Sequence, residues 1–172
     1  GVQTCALPIY GALLQRYEKS VVLKKGKTVF SEGETLTEMR KKGLLLVRDQ
    51  IEAGEQLAIV TATNEFVTRP IATLLGVEQL IATELQRDGQ GRVTGEIAGV
   101  PSYREGKVAR VEQWLQRQGR RCADYERITF YSDSTNDLAL LQHVSHPVAT
   151  NPSPALQRIA AERGWPILRL FE

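Results

Sequence analysis

The stretch Ile128–Leu141, ITFYSDSTNDLALL, decides how the whole chain is read. Its first four residues are apolar, β-branched or aromatic, as in a strand buried within a sheet. Ser134 then stands where it can cap a helix, and two aspartates, Asp133 and Asp137, flank it. Asp137 has a local explanation, because a carboxylate at the third helical position completes a capping box or favours the helix dipole. Asp133 has none, since one helix start does not need two carboxylates. A hard divalent ion such as Mg²⁺ takes oxygen ligands, few of them protein carboxylates, with waters and a phosphate completing its octahedron. Asp133 suits a direct ligand and Asp137 an outer partner.

Outward from this stretch the pattern alternates. QLAIVTA (residues 56–62) predicts a strand, residues 65–75 a helix stopped by Gly76, and LIAT (80–83) a second strand. ELQRDGQGRVTGEIAG (84–99) predicts a hairpin around an Asp-Gly turn. Its Gly89-x-Gly91 joins strand to strand and is no dinucleotide fingerprint. Ser102-x-x-Glu105 predicts a capping box for a helix that Gly119 stops. After ITFY come a short helix over 135–142, the strand PVAT, a helix from Ser153-Pro154 to Gly164, and the strand PILRL. Strands separated by helices imply an α/β fold, a doubly wound parallel sheet covered on both faces, with ligands beyond the carboxyl ends of the strands. Before residue 55, GALLQRYEKSVVL predicts one helix, KKGKTVFSEGE a link, and a second helix runs from a Thr35-x-x-Glu38 capping box, through Leu44, Val47 and Ile51, to Gly54.

Polar groups collect at two further strand or helix ends. Thr61 closes LAIV, and Ala62, Thr63 and Asn64 open a helix whose free N–H groups suit an anion. Thr63 or Asn64 can equally be a plain N-cap. Lys107 sits near the start of its helix, against the macrodipole, which a bound anion would rationalise and a solvated surface lysine would also explain.

Composition narrows the function classes. A net charge of +2, with 42 % hydrophobic and 24 % charged residues, is ordinary for a globule. Basic clusters are short, Lys24-Lys25-Gly26-Lys27 and Arg120-Arg121, so no nucleic-acid groove is expected. Cys5 and Cys122 have no zinc or disulfide spacing, which fits a reducing compartment such as the cytoplasm. No apolar run approaches the roughly 18 residues that would span a bilayer, so no membrane anchor is expected.

The order of strand-Thr, helical Lys and strand-Asp-x-x-x-Asp resembles motifs two, three and four of the haloacid dehalogenase-like (HAD) phosphatases. VTATN…RPIA, TGEIAG…REGKV, YSDSTNDLALL and HPVATNPSPALQRIAAERGWPI are similar to the phosphoserine phosphatase-like branch, subfamily IB, which includes histidinol-phosphatases. The likeness covers roughly residues 42–171. It implies a Rossmann-like core, Mg²⁺, and hydrolysis of a small phosphomonoester through an aspartyl-phosphate. By position, Thr61 and the Ala62 N–H would hold the phosphoryl group, with Asn136 nearby. Lys107 would neutralise nucleophile and phosphate, Asp133 would bind Mg²⁺, and Asp137 would orient its waters. Where the family often has glycine before the fourth-motif aspartate, this chain has Ser132.

The family's nucleophile belongs to a DxDxT motif on a central first strand. The aspartates here are Asp49, Asp88, Asp124, Asp133 and Asp137, and no two are one residue apart. Gly1–Ile9, GVQTCALPI, reads codon for codon like a translated short-read sequencing adapter. Residues 1–9 are therefore expected to lie outside the fold, 10–54 to be a helical cap remnant with a leading core helix, and 55–172 to be the phosphatase core. A chain cut in this way should leave LAIV and ITFY with unpaired edges and should be inactive. Two other readings stay open: a non-catalytic anion- or metal-binding module, and a receiver-like signalling domain, which would not explain Asp133-x-x-x-Asp137 so late in the chain. Phosphoserine, histidinol phosphate and a lipid phosphate all remain as substrates, and the oligomeric state is not legible.

Overall fold

Residues Leu57–Thr61 are buried one after another, the mark of a strand covered on both faces. A computed structural model describes residues 2–3, 21–24, 27–30 and 45–170 of the 172-residue chain. In chain order the elements are β1 (Val2–Gln3), β2 (Val21–Lys24), β3 (Lys27–Phe30), α1 (45–52), β4 (Gln56–Asn64) and α2 (Glu65–Leu74). They continue with β5 (Gln79–Thr83), β6 (Leu85–Arg87), β7 (Val93–Ile97), α3 (Glu105–Arg117), β8 (Thr129–Ser132), α4 (Leu138–His143), β9 (His146–Thr150), α5 (Pro154–Arg163) and β10 (Ile167–Leu168).

Two three-stranded parallel sheets carry the fold, ordered β1-β4-β5 and β10-β9-β8. Side chains alternate between two cores with the period of two that a strand imposes. Ala58, Val60 and Phe130 pack with Val111 and Leu115 of α3, Leu140 and Leu141 of α4, and Leu156 and Ala160 of α5. Leu57, Ile59 and Tyr131 pack on the other face with Val47 of α1 and Ala72 of α2. Helices thus cover both faces, and the expected α/β architecture with parallel strands is what the chain adopts.

Two helices end at the residues that were expected to set them. Gly54 takes φ +72° as α1 stops, with Glu55 N–H donating to Gln50 O at 3.1 Å. Ser153 caps α5 by accepting from Leu156 N, and Gly164 ends that helix in the left-handed region. The hairpin β6–β7 turns at Asp88, whose Oδ1 accepts from the N–H groups of Gln90 and Arg92, both at 2.9 Å.

Several expectations fail. Residues 21–23 were read as the end of a helix and 24–30 as a link, but β2 and β3 form an antiparallel hairpin with Lys24 opposite Lys27. Val21, Val22, Thr28 and Val29 are β-branched, and a short apolar run reads as helix or strand equally well until it finds a partner. The Thr35-Glu38 capping box, Leu44 and residues 11–20 of the helix expected over 11–23 lie outside the described residues. Ser102 does not cap α3. That helix begins at Glu105 after Arg104, with no side-chain cap, while Ser102 is fully buried and donates to Ile81 O at 3.2 Å. The open edge expected on β4 is partly filled. Val2 and Gln3, set aside as outside the fold, pair in parallel with Gln56 and Leu57. Among the described residues β8 pairs with β9 alone.

Candidate active site

Asp137 is the centre of the site; it stands at the N-cap position of α4, but its side chain makes no capping hydrogen bond. Ser134 caps the 3₁₀ turn Thr135–Asp137 by accepting from Asn136 N at 3.1 Å, which frees the Asp137 side chain from that task. Asp137 Oδ1 takes the Lys107 ammonium at 2.5 Å, and its Oδ2 accepts from Ser132 Oγ at 2.8 Å. The two side chains are 7 % and 10 % exposed for Lys107 and Asp137, so the ion pair is buried. Such a pair persists only where its remaining polar valences are met, and Ser132 meets one. The same Ser132 oxygen accepts from Ser134 N at 3.2 Å, tying the strand end to the turn.

Sequence reading treated Ser132 only as a departure from glycine and missed this role. The signal was there, since a hydroxyl at a buried strand end must find partners.

Lys107 lies in the first turn of α3, where its charge opposes the helix dipole and the Asp137 carboxylate offsets that cost. Its position depends on Gly106, which was also overlooked. A Cβ at residue 106 would overlap the Pro101 carbonyl oxygen, so only glycine lets the chain fold back so closely before α3. Arg104, at φ +49°, completes this strained entry. Farther along, buried Arg110 donates to Ala82 O at 3.0 Å and pairs with Glu84, holding α3 to the end of β5.

Asp133 is half-buried just past β8, and its carbonyl accepts from Ser153 N at 2.9 Å, which joins it to the start of α5. Burial raises its pKa above the ordinary carboxylate value, the Asp137 charge adds to the rise, and its own N–H and the Lys107 charge oppose it. A carboxylate whose ionisation is disfavoured in this way gains from a nearby cation. Its hard oxygens suit Mg²⁺, whereas both Asp137 oxygens are already engaged. The donor set therefore fits Mg²⁺ with Asp133 as ligand and Asp137 behind it.

Thr61 is buried at the end of the β4 core, and its Oγ1 accepts from Thr63 N at 3.2 Å, leaving the hydroxyl proton to donate elsewhere. Of the two residues weighed as N-cap, Asn64 caps α2, accepting from Val67 N at 3.1 Å. Ala62 O accepts from Thr83 Oγ1 at 2.8 Å, and Thr83 Oγ1 accepts from the Ser102 N–H at 3.1 Å. This chain of bonds links the end of β4 to the entry of α3. Among the described residues no direct hydrogen bond joins Thr61 to Lys107 or Asp137. Asn136 is exposed, lining an open cavity of about 320 Å³ with Arg104, Glu105, Thr135 and Leu138.

Residues 10–142 match the family model of the haloacid dehalogenase-like hydrolases. The chain belongs to this family. Within it, the relatives include a histidinol-phosphatase and phosphoserine phosphatases. A histidinol-phosphatase of Neisseria meningitidis serogroup C (strain 8013) is 38 % identical over 162 residues, 94 % of this chain and 72 % of that protein. The phosphoserine phosphatase SerB1 of Mycobacterium tuberculosis (strain ATCC 25618 / H37Rv) is 34 % identical over 122 residues, 71 % of this chain, yet the chain spans only 38 % of its length. Among solved structures, a protein of unknown function from Bordetella pertussis Tohama I superposes with a TM-score of 0.73 at 38 % identity, over 94 % of this chain and 81 % of that one. A phospho-aspartyl intermediate analogue of phosphoserine phosphatase shares the HAD-like fold, with a TM-score of 0.56 at 17 % identity, over 97 % of this chain and 67 % of that one. Among the described residues no helix is long and apolar enough to cross a membrane.

Proposed function

We propose that this chain carries the phosphate- and Mg²⁺-binding part of a phosphomonoester hydrolase acting on a small phosphorylated metabolite, of the phosphoserine or histidinol phosphate class. The observation that carries the reading is the buried Lys107–Asp137–Ser132 cluster beside half-buried Asp133. It supplies one fixed cation and one carboxylate with a reason to bind a second.

In this reading Thr61 Oγ donates to a phosphoryl oxygen, helped by the Ala62 N–H, and Lys107 offsets the charge that gathers during transfer. Asp137 holds Lys107 in place and orients metal-bound water, and Asn136 faces the phosphate from the rim. Mg²⁺, when bound at Asp133, neutralises phosphate charge. The nucleophilic aspartate is not among these residues, since no DxDxT occurs in the chain. The chain alone is therefore inactive. A second reading, a non-catalytic anion- and metal-binding module, rests on that same missing motif.

Three measurements test this. Calorimetric titration with Mg²⁺ and inorganic phosphate should show binding that Asp133→Asn and Lys107→Ala abolish; no binding to the unaltered chain ends the site assignment. Release of phosphate from phosphoserine or histidinol phosphate by the chain alone would end the claim of inactivity. Sequencing the source locus across Ile9 and Tyr10 separates the two readings: an in-frame DxDxT upstream favours the hydrolase, and GVQTCALPI persisting without one favours the binding module.

A further inference from the structure

Away from the strand ends, three elements bring Glu112, Cys122 and His143 together: the middle of α3, the 3₁₀ turn Cys122–Asp124, and the last residue of α4. A carboxylate oxygen, the thiol sulfur and an imidazole nitrogen lie within 4.8 Å of one another. His143 Nε2 and Glu112 Oε1 are 2.7 Å apart. Glu112 and Cys122 are half-buried and His143 is exposed.

We propose that Glu112, Cys122 and His143 form a binding site for a borderline-soft divalent ion of the zinc type, distinct from the oxygen site at Asp133. Zinc accepts sulfur, imidazole and carboxylate together, and tetrahedral bonds of about 2.0–2.3 Å set ligand atoms roughly 3.3–3.8 Å apart. The Glu112 and His143 atoms, 2.7 Å apart, need to open by roughly 0.6 Å, and the longer separation, at most 4.8 Å, needs to close by little more than about 1 Å to reach that spacing. Rotation of the Glu112 and His143 side chains supplies this, and the exposed side leaves the fourth position to water. Mg²⁺ does not compete, because a thiolate is a poor partner for a hard ion.

Binding exchanges the S–H bond of Cys122 for a metal–sulfur bond and the Nε2–H that faces Glu112 for a metal–nitrogen bond; the thiol proton goes to solvent, and the neutral imidazole carries its remaining proton on Nδ1. Without a cation, burial and then the Glu112 carboxylate push the Cys122 thiol up to about 12; a bound ion opposes both causes. The ion would clamp α3, the turn after it and the end of α4. Sequence gave no hint, because the three residues share no short spacing and meet only through the packing of α3 on α4.

The test is addition of Co²⁺, then Zn²⁺, to the metal-free full chain. A stoichiometric thiolate-to-cobalt absorption band with tetrahedral d–d bands is expected, bleached by Zn²⁺ and untouched by Mg²⁺. Cys122→Ser should remove the sulfur band, and His143→Gln should weaken Co²⁺ binding on the order of tenfold or more, since each removes one of three protein ligands. A rise in the melting temperature of the unaltered chain with Zn²⁺ gives a readout that needs no variant. The proposal is overturned by the absence of a sulfur band, by a band that survives Cys122→Ser and so belongs to Cys5, or by a melting temperature that Zn²⁺ leaves unchanged.

Discussion

Helices α3 and α4 run side by side, and an acid meets a base between them at two places. Near their starts Lys107 meets Asp137 with both side chains at or below a tenth exposed, and near their middle and end Glu112 meets His143 with about a third of each exposed. The contacts look alike on paper, an acid and a base within hydrogen-bond reach. Water separates their consequences. The buried pair has given up its hydration and depends on its partners, whereas the outer pair keeps much of its hydration and is replaceable. The proposed phosphate and Mg²⁺ chemistry uses the first end, and the second end takes no part in it.

The largest effect should come from breaking the buried pair on one side only. Lys107→Met leaves Asp137 charged and unpaired, and the loss should be about 3–5 kcal/mol in urea denaturation. The double variant Lys107→Met/Asp137→Leu should recover most of that loss, because both charges and their desolvation go together. A double variant as unstable as the single one would mean that Lys107 is held chiefly by packing. Next is Ser132→Ala, which strips one hydrogen bond from a buried carboxylate and should cost about 1.5–3 kcal/mol. If thermal unfolding finds Ser132→Ala neutral, water has replaced the hydroxyl and the site is wetter than its burial indicates.

How much of this was legible in the sequence depends on how local each cause is. The strands around LAIV and ITFY, the glycine stops and the Ser153 cap were legible, because periodicity and capping chemistry act within a few residues. The β2–β3 hairpin was not, since VVLK carries no signal that separates a strand from a helix end until Lys27–Phe30 pairs with it. Ser102 was misread for a similar reason: its position suited a cap, but tertiary contact with Ile81 and Thr83 claimed it. Asp133, Asp137 and Lys107 were singled out as a set through resemblance, and the structure brings Lys107 and Asp137 into contact. That Asp137 spends both oxygens on Lys107 and Ser132 was not, because it requires α3 packed against the β8 turn.

A smaller effect, dependent on pH, tests the carboxylate next to the buried pair. Asp133 has a folded-state pKa above its ordinary value, so the folded chain binds a proton there more readily than the unfolded chain does. Its contribution is fully present below the unfolded carboxylate pKa of about 3.9 and is lost as pH rises through the higher folded value. Without Mg²⁺, Asp133→Asn should therefore be more stable than the parent at pH 7, by less than Ser132→Ala loses, because Asp133 is partly solvated. The difference should shrink as the pH is lowered toward 4. Added Mg²⁺ should raise the parent's melting temperature and leave Asp133→Asn unmoved, and equal responses would remove Asp133 from the cation's ligands.

The outer pair should respond least. His143→Gln removes the base opposite Glu112 but leaves an amide that can donate to the same oxygen, and both positions see solvent. An exposed pair of this kind is worth about 0–1 kcal/mol, and the variant should unfold within that margin of the parent at pH 7 in the absence of transition metals. Raising the salt concentration should narrow the gap further, since mobile ions screen exposed charges over about 8–10 Å at 0.10–0.15 M, while the same salt should change the Lys107→Met loss far less. A His143→Gln loss approaching that of Lys107→Met would erase the contrast between the two ends. It would mean that Glu112, half-covered beside Cys122, behaves as a buried charge, and that the far end of the helix pair holds α3 and α4 together as firmly as the end at Lys107 and Asp137.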